Sequence, residues 1–275
     1  MIGIFHGGRE TNTGPGKVAI NLINGLKKIG HSVLENQEGD MTGCLAAWSP
    51  RFKDLPSNTL VGPNIMVFPT DDVEVWDIFN HYITPSEWVE DYFKTYELSN
   101  KVNMHIWAVG VDTDHFAPRR GVKSKCLVYH KRGKLENLQD IIFTLDRLEI
   151  EYELLSYGSY TEEDLITACS NSLFAILNTD TESQGIAYQE ILSMGVPCYV
   201  VDKTIWDYDK DKPFPATSAP YFDERCGIKH KNLSRLAEFL DCLNGYKPRE
   251  YILDNLTLEK CASEYVKLLE VSHER

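Results

Sequence analysis

Short apolar runs alternate with helical patterns from the start of the chain, and this alternation constrains the fold more than any other feature. The segment from Ile2 to His6 is the first such run. In the segment that follows, apolar residues recur at helical spacing between Val18 and Leu26, and the pattern stops at Gly30. A repeated order of strand, helix and strand predicts a parallel sheet with helices packed on its faces.

The same alternation continues along the rest of the chain and predicts an α/β protein. The predicted strands are Ile2 to His6, His31 to Leu34, Cys44 to Trp48, Ile65 to Phe68, His81 to Thr84, Met104 to Val109, Cys126 to His130, Tyr152 to Tyr157, Leu173 to Leu177 and Val196 to Val201. The predicted helices are Val18 to Leu26, Glu87 to Leu98, Asn137 to Leu148, Glu162 to Cys169, Ile186 to Met194, Asn232 to Leu243 and Leu256 to Leu269. Ser86 precedes the second of these helices and is expected to cap it.

This pattern is interrupted by the segment from Gly110 to Lys125, which is polar, contains Pro118 and lacks periodicity. Such a composition is typical of a linker. A chain of 275 residues also has room for two small domains. We therefore predict a Rossmann-like domain over residues 1–110, a second over residues 111–255, and a final helix over residues 256–275 that crosses back to the first domain.

The formal net charge of −13 and the pI near 5.1 exclude some classes of partner. Binding to a nucleic-acid backbone needs Lys and Arg clustered on one face. Docking on an anionic bilayer needs a polybasic patch, which the acidic first half lacks. Neither nucleic acid nor a membrane surface is therefore an expected partner.

Cysteine usage favours a reducing compartment. None of the seven cysteines forms a Cys-x-x-Cys pair, and their wide spacing is typical of neither a disulfide framework nor a zinc site. The N-terminal segment has no basic region followed by a long apolar one, and no run approaches ~20 apolar residues. We expect a soluble, cytoplasmic protein with neither an export signal nor a membrane span. The cysteines are Cys44, Cys126, Cys169, Cys198, Cys226, Cys242 and Cys261.

Two glutamates separated by seven residues form the most informative motif. Glu182 falls at a turn between a predicted strand and a predicted helix, and Glu190 lies about two helical turns further on, along the same helix edge. The start of a helix offers backbone N–H groups and a positive dipole end, which suit a diphosphate or a row of sugar hydroxyls. The alternative is an ordinary amphipathic helix with a capping glutamate.

This spacing, the Ser-Gln-Gly between the two glutamates and the Met-Gly-Val-Pro that ends at Pro197 resemble retaining glycosyltransferases of family 4 (glycosyl transferases group 1), which have the GT-B fold of two Rossmann-like domains facing a cleft. The resemblance implies that Glu182 contacts hydroxyls of the donor sugar and that Glu190 binds the nucleotide ribose. It also implies that a short stretch of backbone faces sugar and phosphate: Ser183, Gln184, Gly185 and Ile186.

Two further stretches are similar to the same family, in the expected order. The glycine-rich loop from His6 to Gly16 is similar to the first connection between strand and helix, which implies that Gly14 and Gly16 lie against the donor. A flexible tight turn is the alternative for this loop. The segment from Trp107 to Pro118 resembles the one that joins the family's two domains, and it coincides with the predicted linker.

A basic loop follows the predicted strand from Cys126 to His130. Its cations, Lys131, Arg132 and Lys134, are expected to neutralise a diphosphate and the charge that develops as it leaves. The family has an Arg and a Lys farther apart here, so this loop is shortened and the cation that touches phosphate stays open. A solvated basic turn is the alternative. The resemblance adds Gly158 to the donor-binding residues.

The activity implied by the resemblance is a retaining, hexosyltransferase-like transfer from a UDP- or GDP-linked sugar to a hydroxyl of a glycan or glycoconjugate. The acceptor oxygen would attack on the face from which the nucleoside diphosphate departs. Cations and helix amides would replace a metal, so neither a metal nor a cofactor is expected. Two alternatives stay open: a non-catalytic protein that binds nucleotides or sugars on the same scaffold, and a sugar-nucleotide epimerase of the GT-B fold.

A few residues outside these motifs carry weaker expectations. Many relatives have a histidine of the first domain near the donor sugar, and His6 and His81 are the candidates here. Asp207 and Asp209 have the spacing of a metal-binding triplet but are expected to be solvated in a polar loop. Trp206 is a candidate aromatic of the cleft by position alone. The first domain, with about 110 residues, is short for the family, so helices or loops that shape an acceptor site are expected to be missing.

Overall fold

The computed structural model describes residues 1–9, 13–46 and 50–274, with the backbone alone at residues 50 and 51. The chain divides into two compact units. Unit 1 consists of residues 1–110 and 256–275, and unit 2 of residues 111–255. Within the described residues, no helix is both long enough and apolar enough to cross a lipid bilayer.

Unit 1 contains a sheet of six parallel strands in the order β2-β1-β3-β4-β5-β6. Its strands are β1 (Ile2–Phe5), β2 (Val33–Glu35), β3 (Met41–Ala46), β4 (Leu60–Asn64), β5 (His81–Thr84) and β6 (Asn103–Ile106). Its helices are α1 (Gly14–Lys28), α2 (Val75–Ile78), α3 (Glu87–Lys94) and the last helix of the chain, α9 (Leu258–His273).

The two long helices of unit 1 pack against each other and cover one face of its sheet. A Cβ atom added at Gly25 of α1 would lie 2.6 Å from the carbonyl oxygen of Leu258 and 2.9 Å from the Cβ atom of Ala262, so the helices approach closely there. On the sheet side, the Tyr265 ring of α9 stacks edge-on against Trp107, with ring centroids 4.8 Å apart. The C-terminal helix is therefore part of the core of unit 1.

Unit 2 contains a second parallel sheet, of five strands in the order β13-β10-β9-β7-β8, and a separate short hairpin. Its strands are β7 (Lys125–Lys131), β8 (Tyr152–Ser156), β9 (Ser172–Thr179), β10 (Cys198–Val201), the hairpin strands β11 (Ile205–Trp206) and β12 (Phe214–Pro215), and β13 (Gly227–His230). Its helices are α4 (Leu135–Arg147), α5 (Glu162–Asn171), α6 (Ile186–Ser193), α7 (Leu236–Asp241) and α8 (Pro248–Asn255).

The inner strands of unit 2 are buried on both faces, as parallel strands covered by helices are. Strand β9 is the clearest case, since Ala175, Ile176 and Leu177 are all fully buried. On one face of the sheet, Phe174 packs against Phe239 of α7, with ring centroids 5.8 Å apart. The predicted α/β class with parallel, Rossmann-like sheets is thus confirmed.

The prediction of a strand from Ile65 to Phe68 was wrong. Strand β4 ends at Asn64, and residues 65–68 form no strand. The Gly62-Pro63 pair, typical of a turn, lies inside this strand, and Gly62 has φ +107°. Leu60 and Val61 pair with β3 and β5 on either side, and Asn64 pairs with Ala46 across a bulge. This pairing around Gly62-Pro63 outweighs the local preference of Gly and Pro.

Several other predicted helices and strands differ from the observed ones. The predicted helix from Asn232 to Leu243 is a 3₁₀ turn at Leu233–Arg235 followed by α7. Strand β13 and helix α8 are absent from the sequence prediction. Ser86 does occupy the position before α3, but its side chain makes no capping hydrogen bond. The predicted end of the third strand, at Trp48, lies outside the described residues.

Candidate functional site

The basic loop and the glutamate turn meet at the carboxyl edge of the sheet of unit 2. Strands β7 and β9 are neighbours, with Lys131 aligned to Thr179 at their ends. The N–H group of Asp180 donates to the carbonyl oxygen of Lys131 at 3.0 Å, and an isolated bridge joins Arg132 to Thr179. Ligands of open α/β sheets bind outside this edge. The topology therefore brings together two motifs that lie some fifty residues apart in the chain.

A partly buried ion pair lies at the centre of this edge. The ammonium of Lys131 is 2.8 Å from the carboxylate of Glu182, whose residue is 8% exposed. Burial raises the pKa of Glu182, and the positive charge of Lys131 and its hydrogen bond oppose that shift. Lys131 also lies over the ring of Tyr157, 4.9 Å from its centroid. The cation is thus held between a carboxylate and an aromatic face.

The other two cations are exposed. We call residues 131–134 the cation loop. Arg132 has φ +58°, a left-handed conformation that is uncommon for a residue with a side chain. Its positive charge lowers the pKa of Glu182, although burial keeps that pKa raised overall. Lys134 occupies the position before α4. The loop therefore presents two exposed cations beside one that is already ion-paired.

The turn before α6 is shaped by a left-handed glycine. Gly185 has φ +82° and stands immediately before Ile186, the first residue of the helix. A Cβ atom at Gly185 would collide with the Tyr188 ring. Gln184 is buried and exchanges hydrogen bonds with Gln189, at 3.3 Å and 3.1 Å. The first N–H groups of a helix have no acceptor inside that helix, so this turn has the geometry of an anion site.

The remaining residues of the glutamate motif differ in exposure. Ser183 is exposed at the turn, whereas Glu190 is 1% exposed. Burial raises the pKa of Tyr129 and of Cys169, and the negative charge of Glu190 adds to both shifts, so its carboxylate lies near these buried groups of β7 and α5. Glu182 and Glu190 are thus both directed into unit 2. The role of Glu190 toward a ribose stays a prediction.

A second polar network borders Glu182, and the sequence reasoning missed it. Lys203, which follows β10, lies 2.8 Å from Asp180 and 2.7 Å from Asp207. The hydroxyl of Tyr208 donates to Asp180 at 2.9 Å. The hydrogen bonds of Asp180, the one from Lys203 first, hold the pKa of its carboxyl below the ordinary value despite burial. The sequence does contain a signal for this network, since Asp180 and Lys203 each follow a predicted strand and the two strands are consecutive along the chain.

The hairpin that carries this network is anchored to the glutamate turn. The N–H group of Glu182 donates to the carbonyl oxygen of Thr217 at 3.0 Å. Asp207 is exposed, and Asp209 is half-buried in the same segment. Trp206 is 9% exposed and packs near Tyr208, with ring centroids 6.0 Å apart, so it is mostly a core residue of the hairpin.

The other predicted donor-binding glycines, Gly158, Gly14 and Gly16, lie in two different settings. Gly158 is exposed after β8, with φ +83° and open space around it. Gly14 and Gly16 were predicted in a loop, and this was wrong, because both belong to the first turn of α1. The hydroxyl of Thr13 caps that helix and accepts from the N–H group of Gly16 at 3.2 Å. Residues 10–12 of the predicted loop lie outside the described residues.

The two candidate histidines of unit 1 lie at opposite edges of its sheet. His81 begins β5, away from the carboxyl edge, and its Nδ1 atom is 2.9 Å from Nε2 of His105. It is therefore a structural histidine. His6 follows β1 at the carboxyl edge, where its Nε2 atom lies 3.2 Å from the carboxylate of Glu35. Its N–H group donates to the side chain of Asn36 at 2.9 Å.

Over residues 1–9, 13–46 and 50–274, no group of three His, Cys, Asp or Glu side chains is placed to bind a metal ion. The seven cysteines are free thiols, six of them buried. Burial raises the pKa of Cys44 to about 12. The buried thiols are thus protonated and serve as core side chains.

No protein-family model matches the chain, and no curated protein matches it. Solved structures do. Sucrose-phosphate synthase from Thermosynechococcus elongatus is 13% identical, with a TM-score of 0.60, over 98% of this chain and 98% of that one. The catalytic domain of starch synthase IV from Arabidopsis thaliana, bound to ADP and acarbose, is 11% identical, with a TM-score of 0.53, over 100% of this chain and 73% of that one.

TarM of S. aureus is also similar, at 14% identity and a TM-score of 0.53. The match covers 92% of this chain but 58% of TarM, so the chain spans little more than half of that protein. These neighbours are glycosyltransferases of the GT-B fold, and at such low identity the likeness shows the fold alone. The chain has the GT-B fold, as the sequence resemblance implied.

Proposed function

We propose that this chain of the GT-B fold is a retaining glycosyltransferase, which moves a sugar from a UDP- or GDP-linked donor to a hydroxyl group of a glycan or glycoconjugate. The ion pair between Lys131 and Glu182 supports the proposal most directly. It places a cation and a carboxylate at the carboxyl ends of adjacent strands, beside the start of α6. A cation attracts a diphosphate, and a carboxylate accepts hydrogen bonds from sugar hydroxyls.

The reaction is a displacement at the anomeric carbon. The acceptor oxygen forms a bond to that carbon on the face from which the β-phosphate oxygen departs, and the bond between carbon and phosphate oxygen breaks. The leaving phosphate takes the proton of the acceptor hydroxyl. Stabilising the negative charge of the leaving diphosphate is then the main task of the protein.

The cation loop and the start of α6 suit this task. Arg132 and Lys134 are exposed at the edge where the diphosphate would lie, and the dipole of α6 adds positive potential from its N-terminal end. Glu182, buried beside Lys131, would accept hydrogen bonds from the donor's hydroxyls. We propose that these groups act without a metal ion or another cofactor.

The direct test is turnover. The protein is incubated with a panel of UDP- and GDP-sugars and glycan acceptors in EDTA, and nucleotide release is followed together with the anomeric configuration of the product by NMR. We expect release that depends on the acceptor, with retained configuration. An inverted product would contradict the retaining mechanism, and the absence of both binding and turnover across the panel would contradict the transferase.

A non-catalytic binding protein is the second candidate, and one observation favours it. Lys131 and Lys203 are each paired with carboxylates, so part of the positive charge at the edge is already neutralised. Such a protein would bind nucleotide sugars in calorimetry but would release no nucleotide with any acceptor. Release without an acceptor, with a changed sugar in the product, would instead indicate an epimerase.

A further inference from the structure

Asn178, the residue before Thr179 in β9, is fully buried beneath the cation loop. It is aligned with His130 of β7, one residue before the loop begins. The resemblance to family-4 glycosyltransferases implies no role for this residue. Among the described residues, its Oδ1 atom has no hydrogen-bond partner, whereas its Nδ2 group is paired. An unpaired buried polar atom costs free energy, so the bonds of Nδ2 are the ones that hold this amide in place.

The side-chain amide of Asn178 binds the loop from below. Its Nδ2 group donates to the carbonyl oxygen of Lys134 at 3.0 Å and to Nδ1 of His130 at 3.1 Å. The assignment of nitrogen and oxygen follows from chemistry, because a carbonyl oxygen only accepts. One amide thus ties the last residue of the cation loop to the residue before its first.

The loop also lies directly on this side chain. A Cβ atom at Gly133 would collide with the side chain of Asn178, and it would lie 2.5 Å from the main-chain oxygen of Asn178. The preceding residue, Arg132, turns into a left-handed conformation and bridges to Thr179. The short loop can therefore adopt this path only over a glycine, with the amide of Asn178 beneath it.

We propose that Asn178 is a positioning residue: its amide fixes the path of the cation loop and so aims Arg132 and Lys134 at the phosphates of the ligand. The inference rests on the proposed function for the identity of that ligand. Asn178 itself is buried under the loop and touches no substrate. Its effect on diphosphate binding is therefore exerted only through the loop's cations.

The test replaces Asn178 by a side chain of the same shape. Asn178→Asp removes both N–H donors and places a carboxylate against the carbonyl oxygen of Lys134. Asn255→Asp is the control for the change from amide to carboxylate itself, since it removes a bond from an exposed amide to the carbonyl oxygen of Tyr251, in α8. We expect the Kd for UDP or GDP to rise roughly tenfold in the first variant and to stay within about twofold in the control.

A double-mutant cycle separates positioning from a general structural effect. In a background with Arg132→Ala and Lys134→Ala, Asn178→Asp should change the Kd by less than about twofold, because the cations that it positions are gone. A tenfold loss that persists in that background would overturn the proposal. So would an unchanged Kd when Asn178→Asp is made alone.

Hydrogen exchange tests the loop without any ligand. In Asn178→Asp, amides of residues 131–135 should exchange faster while the rest of unit 2 exchanges as in the parent protein; unchanged exchange in the loop overturns the proposal. Gly133→Ala, which displaces the loop from above and leaves Asn178 intact, should give the same local pattern if Asn178→Asp does not fold. Failure of the parent protein to bind UDP or GDP would contradict the proposed function, and hydrogen exchange would still decide the role of Asn178.

Discussion

The ammonium of Lys131 and the carboxylate of Glu182 lie 2.8 Å apart at the ends of neighbouring strands, so the base of one motif and the acid of another neutralise each other. A diphosphate that approaches Lys131 competes with Glu182 for the cation. Each of the two side chains therefore reduces the net charge that the other offers to a ligand.

Replacing Glu182 by Gln should lower kcat/KM for the proposed transfer by roughly a hundredfold, because a neutral amide accepts weaker hydrogen bonds from sugar hydroxyls. Nucleotide release measures the effect, and circular dichroism checks the fold. Glu163→Gln is the control: this carboxylate is 66% exposed and pairs with Arg119 on the surface of unit 2. A Glu182→Gln variant with the parental rate would remove the assignment.

The raised pKa of Glu182 also predicts a dependence of stability on pH. At a pH just above the ordinary pKa of 4.5, the native protein still holds the proton of this carboxyl, whereas the unfolded chain has released it. The native state then binds more protons than the unfolded chain. This group's contribution to the free energy of unfolding therefore falls as the pH rises from the ordinary pKa through the raised pKa of the native state. Urea unfolding from pH 4 to 8 should show the fall in the parent protein relative to Glu182→Gln. Parallel curves would contradict it.

Arg132→Gly should separate stability from binding. The left-handed conformation costs a residue with a side chain about 1 kcal/mol, and glycine adopts it freely. We expect the variant to be more stable by up to about 1 kcal/mol in urea while its Kd for UDP or GDP rises. Glu149→Gly has the same backbone geometry, at φ +53°, and should gain stability without a change in Kd. Unchanged binding by Arg132→Gly would relocate the phosphate site.

The pair of His81 and His105 should make unit 1 sensitive to acid. Their rings stack with centroids 5.2 Å apart, and burial lowers the pKa of both below 6.5. His273 lowers the pKa of His81 further, while Glu90 opposes the shift at His105. The native state then binds fewer protons than the unfolded chain, so stability falls as pH drops below about 6.5.

Unfolding of the parent protein and of His105→Asn between pH 5 and 8 measures this effect. We expect the variant to lose less stability in acid, since one of the two rings that resist protonation is gone. His31→Asn, which changes a histidine that is not part of the pair, should retain the parental dependence. An unchanged slope in His105→Asn would contradict the explanation.

Gly25→Ala should destabilise unit 1 although alanine is the better helix former. The new Cβ atom would lie 2.6 Å from the carbonyl oxygen of Leu258, so the two helices would have to separate. Overpacking of this kind costs about 1 to 3 kcal/mol, against about 1 kcal/mol gained in helix propensity. Urea denaturation measures the net loss, and Gly245→Ala, which meets no atom within 4 Å, is the control. A more stable Gly25→Ala would contradict the close packing.

Strong local patterns in the sequence predicted the central elements well. The predicted strand from His81 to Thr84 coincides with β5, and α6 begins at Ile186 as predicted. The weaker elements were missed because pairing partners, rather than local preference, hold them. Strand β4 continues past Gly62-Pro63 because Leu60 and Val61 are paired on both sides and Asn64 pairs again with Ala46 of β3. The edge strand β13 likewise has no apolar alternation that would predict it.

The sequence by itself determined the α/β order, the two motifs and the charge types that they carry, because periodicity and chemistry are properties of short segments. Only the tertiary structure decided which of these charges meet. Lys131 pairs with Glu182, and Asn178 contacts the cation loop, because β7 and β9 are adjacent in the sheet although α4, β8 and α5 separate them in the chain. Strand order is set by burial of whole faces, which no local spacing records.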